Sequence, residues 1–260
     1  MKYFVLTGIF LFLQTGDYKP VVTVTLPYDQ GITDPLGNVY IINKNEIIKY
    51  TPEGQKTAVY SNNTLGNITH ADVSDPLRIL LYYKDFNQVV FLDKFLTVLM
   101  SPVLLDDLDI FRPYTVCASG RGGFWLLDAA NFQLRYYDKN LQLIHNSGDL
   151  SLLLDFSATP DLMIEKNNKV FINFPGKGIA IFDVYGAYIK FVELEISRSF
   201  QVSNENIIFY KDHIIRKYNH RLLDTQFLAL PDTHNVTDAR IEQKRLYLFK
   251  KGSFTIYNPD

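Results

Sequence analysis

Cysteine is almost missing: Cys117 is the only one in 260 residues. A single thiol excludes an intrachain disulfide framework and a Cys-rich zinc site, and no disulfide-linked oligomer is expected. An excess of one charge is missing too. Against 28 Asp and Glu stand 26 Lys and Arg, a formal net charge of −2. That is too little positive charge for a nucleic-acid binder that works by neutralising phosphates. Long apolar runs are absent as well. Tyr3–Leu13 falls short of the roughly 20 residues that a spanning helix needs. Val89–Leu105 is broken by Asp93, Lys94 and Pro102. No direct membrane span is therefore expected in the mature chain.

What is present is core material. Hydrophobic residues make up 47% and aromatics 14%, the composition of a globular protein. The length allows one large domain or two small ones. Lys2, the apolar run to Leu13 and the polar or small Gln14, Thr15, Gly16 and Asp17 have the three-part form of a secretory signal peptide. The expected leader is 1–16, cut after Thr15 or Gly16. No cysteine follows the run, so a lipid anchor is excluded. The expected location is the periplasm or the outer membrane.

The rest of the chain repeats. A short apolar strand ends at Tyr50, Leu92, Tyr137, Phe182, Tyr218 and Tyr257, with spacings of 42, 45, 45, 36 and 39 residues. The mean matches the roughly 40–45 residues of a four-stranded propeller blade. The next residue is Thr51, Asp93, Asp138, Asp183, Asn219 or Asn258. Asp and Asn side chains accept bonds from backbone N–H groups two residues on and so start turns. A second apolar strand precedes each of these by about ten residues, joined to it by a hairpin loop. A fourth, more variable strand follows, including Thr57–Tyr60, Thr97–Met100 and Leu141–His145. The sixth copy ends at Asp260 without a fourth strand, and Val21–Leu26 lies ahead of the first copy without a partner. The fold predicted is all-β: a single six-bladed β-propeller over 17–260, closed by an N-terminal strand that pairs into the last blade. Leu99–Phe111 departs from the pattern and is expected to hold a short helix or an insertion.

No motif brings chemistry with it. Asp106-Asp107-Leu108-Asp109 lacks the alternation, central Gly and distal Glu of a calcium loop. Gly120-Arg121-Gly122-Gly123 feeds a strand, whereas a phosphate cradle feeds a helix; it reads as a turn, as does Pro175-Gly176-Lys177-Gly178. Cys117 has no neighbouring base to activate it and is expected to be a buried structural thiol. The five histidines show no metal-ligand spacing. Three Asn-x-Thr triplets, at Asn62, Asn67 and Asn235, match the glycosylation acceptor pattern. Inner strands are expected to begin near Thr33, His70, Val116, Asp161, Arg198 and Arg240. This makes His70, Asp72, Arg198 and Arg240 the candidate residues of a polar channel mouth. The competing expectation is that they satisfy one another around a wet axis. No catalytic residue, metal ligand or cofactor is predicted.

The segment Asp72–Leu96, DVSDPLRILLYYKDFNQVVFLDKFL, and the spacing along the chain resemble exported propellers of Bacteroidota. Among these, the chain resembles the PorD-like periplasmic propeller subunits of the type IX secretion translocon. That resemblance implies a non-catalytic role, with other proteins of an envelope complex as partners, and carries over no catalytic residues. The leading expectation is thus a protein-interaction scaffold in a periplasmic or outer-membrane assembly. The alternatives are a metal-dependent lactonase-like or glycan-active propeller hydrolase, which would gather carboxylates at the channel mouth, and a carbohydrate-binding module that presents exposed aromatics.

Overall fold

The second strands of the blades are apolar on both faces, and the reason appears in the ring. A computed structural model describes residues 13–14, 18–154, 158–196 and 199–260. Six antiparallel sheets follow one another along it. From the innermost strand outward, blade 1 is Gln30–Thr33, Val39–Asn43, Glu46–Tyr50 and Lys56–Ser61. Blade 2 is His70–Asp72, Ile79–Tyr83, Gln88–Leu92 and Val103–Leu104. Blade 3 is Pro113–Ala118, Phe124–Asp128, Gln133–Tyr137 and Leu143–Asn146. Blade 4 is Leu162–Lys166, Lys169–Phe174, Gly178–Asp183 and Tyr188–Val192. Blade 5 is Gln201–Ser203, Asn206–Lys211, Ile214–Asn219 and Asp224–Ala229. Blade 6 is Val236–Glu242, Arg245–Lys250 and Ser253–Pro259, completed by the N-terminal strand Tyr18–Thr25.

That last pairing closes the ring, as the orphan strand predicted. Val22, Thr23 and Val24 lie opposite Ile256, Thr255 and Phe254, and the Thr23 and Thr255 hydroxyls are 2.9 Å apart. Most of the expected leader, 1–16, lies outside the described residues. Of it only Leu13–Gln14 is described, as a short parallel addition to the outer strand of blade 5 opposite Phe227 and Leu228.

The core is six slabs, one between each pair of neighbouring blades. Tyr40 and Ile42 of blade 1 pack with Leu81 and Tyr83 of blade 2. From the same strand, Val39 and Ile41 point the other way and meet Tyr247 and Phe249 of blade 6. Trp125 and Leu127 of blade 3 pack on Ile172 and Phe174 of blade 4, while Phe124 and Leu126 face blade 2. A strand buried on both faces reads as a continuous apolar run, without alternation.

The turn prediction holds at five of its six positions; Asn258 starts no turn and instead continues the last strand, opposite Lys19 of the closing N-terminal strand. The side-chain oxygens of Thr51, Asp93, Asp138, Asp183 and Asn219 each accept two backbone N–H bonds. In three of the turns the Asp oxygen takes the N–H groups two and four residues on, at 2.8–2.9 Å. Gly120–Gly123 is a turn between the first two strands of blade 3, as expected. A Cβ on Gly123 would stand 1.9 Å from the Tyr137 carbonyl oxygen, so only glycine fits there. Leu105–Leu108 is a short 3-10 helix in the expected 99–111 segment, and Asp106 in it accepts a bond from Asn87 at 2.6 Å. Cys117 is fully buried, and that burial raises its thiol well above the usual range. No helix among the described residues is long and apolar enough to cross a membrane.

Five strand placements need correction. Blade 2's outer strand is not Thr97–Met100. It is split into a single bridge from Val98 to Leu92 and the pair Val103–Leu104, because Ser101-Pro102 interrupts it. Inner strands begin at Gln30, Gln201, Pro113 and Val236, not near Thr33, Arg198, Val116 and Arg240. Register shifts at Pro113/Thr115 and at Val236/Asp238 break the alternation that would have located the last two.

Candidate functional site: the central channel

The inner strands of five blades and the residues beside them line a central cavity of about 350 Å³. Ile32 and Thr33 come from blade 1, His70 and Asp72 from blade 2, and Leu162, Ile164 and Lys166 from blade 4. Blade 5 adds Phe200, Gln201 and Val202, and blade 6 adds Arg240 and Glu242. Blade 3 supplies no lining residue. Its inner strand is tied to blade 2 instead, where the Ala118 N–H donates to Asp72 at 2.9 Å.

Three of the four residues picked from the sequence line this cavity: His70, Asp72 and Arg240. Arg198 lies outside the described residues. The three do not form one hydrogen-bonded cluster. Asp72 is saturated by backbone, taking the Ser74 N–H at 2.8 Å as well as that of Ala118, so it is a brace between blades. Nε2 of His70 is buried with no hydrogen-bond partner. Burial pushes its imidazole below the usual range, and Asp72 opposes that shift. Arg240 is only 8% exposed, and its Nε has no partner.

The sequence reading missed Glu242, Gln201 and Lys166. Alternation along a strand puts residues i and i+2 on one face, so Arg240 alone pointed to Glu242. Gln201 donates through Nε2 to Glu242 and to the Ile241 carbonyl, and its Oε1 accepts from the Ile241 N–H at 3.0 Å. The Thr33 hydroxyl donates to Glu242 at 3.4 Å. Blades 5, 6 and 1 are thus joined at a single carboxyl. Burial pushes that carboxyl up to about 7, with Arg240, Gln201, Thr33 and Lys166 each pulling it down by less.

Other buried polar groups brace neighbouring blades in the same way. Trp125 Nε1 and the Gly120 N–H donate to Glu165, at 2.6 and 3.2 Å. The Tyr247 hydroxyl donates to the Gly37 carbonyl at 2.9 Å. Among the described residues no three His, Cys, Asp or Glu side chains are grouped so as to hold a metal ion.

Neither a protein-family model nor a curated protein matches the chain. Solved structures do. The WD40 domain of Pan2 from Neurospora crassa superposes with a TM-score of 0.61 at 8% identity, covering 96% of this chain and 97% of that one. An inactive variant of virginiamycin B lyase from Staphylococcus aureus, with quinupristin, gives 0.64 at 10% identity, over 94% and 100%. BamB from Moraxella catarrhalis gives 0.51 at 11%, over 93% and 100%. At these identities the likeness establishes the propeller fold, and the fold hosts both enzymes and scaffolds. The narrower likeness to Bacteroidota translocon subunits has no counterpart among these structures. Asp72–Leu96, which carries it, is the end of the inner strand, the next two strands and the turns of blade 2, residues that the fold itself requires.

Proposed function

We propose that the chain is a non-catalytic propeller scaffold that binds another protein through the outer rim of blade 2. Its setting is a periplasmic or outer-membrane assembly, with the place of a PorD-like accessory subunit of the type IX secretion translocon as the specific case. One observation supports the scaffold reading above the others. Asp93 pins the turn that follows the third strand of blade 2, so that Leu96 is buried while Phe95 is 67% exposed. Val98, Leu99 and Leu104 continue the apolar rim, with Leu99 at 51%. The Lys94 ammonium sits over the Phe95 ring at 4.9 Å. Contiguous exposed apolar side chains mark interaction surfaces, and an aromatic beside a cation is a common binding anchor. The outer strand is broken here, so it offers a poor edge for strand addition. The partner docks by burying side chains.

Site-specific photo-cross-linking in the native host tests this. A photoreactive residue at Phe95 should give one dominant adduct in the envelope fraction. The same residue at Leu222, 71% exposed on blade 5, should not. Absence of an adduct from Phe95, or an identical product from both positions, would remove the rim as a docking face.

A further inference from the structure

An edge strand presents a row of backbone N–H and C=O groups that can pair with another chain, and proteins blunt such edges with bulges, Pro, Lys or very short strands. Among the described residues, five of the six outer strands are blunted. Those of blades 1, 3, 4 and 6 have a register shift against the third strand. That of blade 2 is cut down to the pair Val103–Leu104. Blade 5 has none of these devices. Its outer strand Asp224–Ala229 pairs with Ile214–Asn219 at every position without a shift. It holds neither Pro nor Lys, and its one charge, Asp224, stands at its start. A further strand is seated on this same edge. Leu13–Gln14 run parallel to it, Leu13 opposite Phe227 and Gln14 opposite Leu228, and they make blade 5 a five-stranded sheet. These two residues belong to the expected leader.

We propose that the outer edge of blade 5 is a strand-addition site, capped by the end of the leader in the precursor. In the mature chain it takes an extended apolar segment of a partner protein, running parallel to Asp224–Ala229. In such docking, main-chain hydrogen bonds give affinity and alternate side chains give specificity. Leu13–Gln14 supply the direction and the register. Phe227, Leu228 and Ala229 are half-buried where the addition is seated, at the end of the strand away from the turn that carries Leu222. An aliphatic or aromatic residue opposite Phe227 makes a favourable cross-strand pair. The site rests on the expected cut after Thr15 or Gly16, which leaves the closing strand Tyr18–Thr25 in place. It is separate from the rim of blade 2.

The probe is a peptide of residues 11–17, LFLQTGD, followed by two lysines for solubility. It is titrated into the isotope-labelled mature chain from the envelope of the native host and into the full chain made without export, and amide resonances are followed. The mature chain should bind it saturably with Kd on the order of 1 mM or tighter. The shifts should centre on Asp224–Ala229 and spare Tyr188–Val192, the bulged outer strand of blade 4. The full chain carries its own copy at high effective concentration and should bind about threefold or more weakly. A Leu13→Pro peptide, which lacks an N–H at the pairing position, should lose about tenfold. An envelope chain that still begins at Met1, no saturable binding, shifts centred on another strand, or equal affinity in mature and full chains would each overturn the assignment. A dominant Phe95 adduct from a chain that binds no peptide would keep the rim and remove this edge.

Discussion

Glu242→Gln is the most informative substitution in the channel. The Glu242 carboxyl is half-enclosed between blades 5, 6 and 1, and burial raises it from 4.5 to about 7. Native protein therefore holds this proton over a pH range in which unfolded chain has lost it. By linkage, stability is highest below about 4.5, falls as pH rises, and has lost the full amount above about 7. At 1.36 kcal/mol per pH unit of displacement, the whole effect is about 3 kcal/mol. Between about pH 5 and about pH 8.5 it is about 2.5 kcal/mol. Gln keeps the shape and the acceptor for Gln201 and Thr33 but cannot ionise. Stability of wild type minus variant should thus fall by about 2.5 kcal/mol from the lower pH to the higher. Other titrating groups cancel in that difference. Urea unfolding followed by fluorescence of Trp125, the only tryptophan and fully buried, measures it. A difference that stays constant within about 0.5 kcal/mol, the scatter expected of independent sites, would show that water reaches the carboxyl and that the junction is not a desolvated site.

Two further outcomes test the frame that holds the channel. Gly123→Ala sets a Cβ against the Tyr137 carbonyl and should cost about 2 kcal/mol or more, since backbone has to move. Gly176→Ala, at φ +71 with no atom within 4 Å, should cost about 1–2 kcal/mol from backbone strain alone, and thermal melts of the two should rank them in that order. Deleting residues 1–26 removes the strand Tyr18–Thr25 that closes blade 6 and should abolish a single cooperative melt. A truncated chain that melts like the whole one would mean that the seam is held by the blade 6 to blade 1 core without it.

What could be read in the sequence follows from how many faces of a strand are buried. The second and third strands of each blade lie between two neighbours, so Ile79–Tyr83 and Phe124–Asp128 are buried at every position. Such runs stand out whatever register the blade adopts. The turns were readable for a different reason. Asp93, Asp138 and Asp183 satisfy their backbone locally, so the residue type is dictated within five positions and needs no knowledge of the ring. The outer strands and some inner strands have neither advantage. Leu162–Lys166 has one buried residue among partly exposed ones, and Lys56–Ser61 has none.

The same difference separates scaffold from function. In a propeller, a face pressed between two blades is used up by packing, and a change there alters stability first. Only the inner strands, which look onto the axis, and the outer strands, which look onto solvent, have side chains to spare for a ligand or a partner. Arg240 and Glu242 belong to the first kind of strand and Leu99 to the second kind of position. Their local patterns are irregular: one strand is shifted in register at Val236/Asp238, the other is split around Ser101-Pro102. Strict alternation at Arg240 would have been enough to find Glu242 beside it. What sequence periodicity could not supply is the third partner, Gln201, because it arrives from another blade about 40 residues away along the chain. That contact depends on the angle between two sheets, and the angle is set by the size of the side chains in the slab between them, here one that includes Ile208, Ile215, Ala239, Leu248 and Tyr257. The chemistry of the channel is therefore fixed by packing between blades, one level above the repeat that reveals the blades.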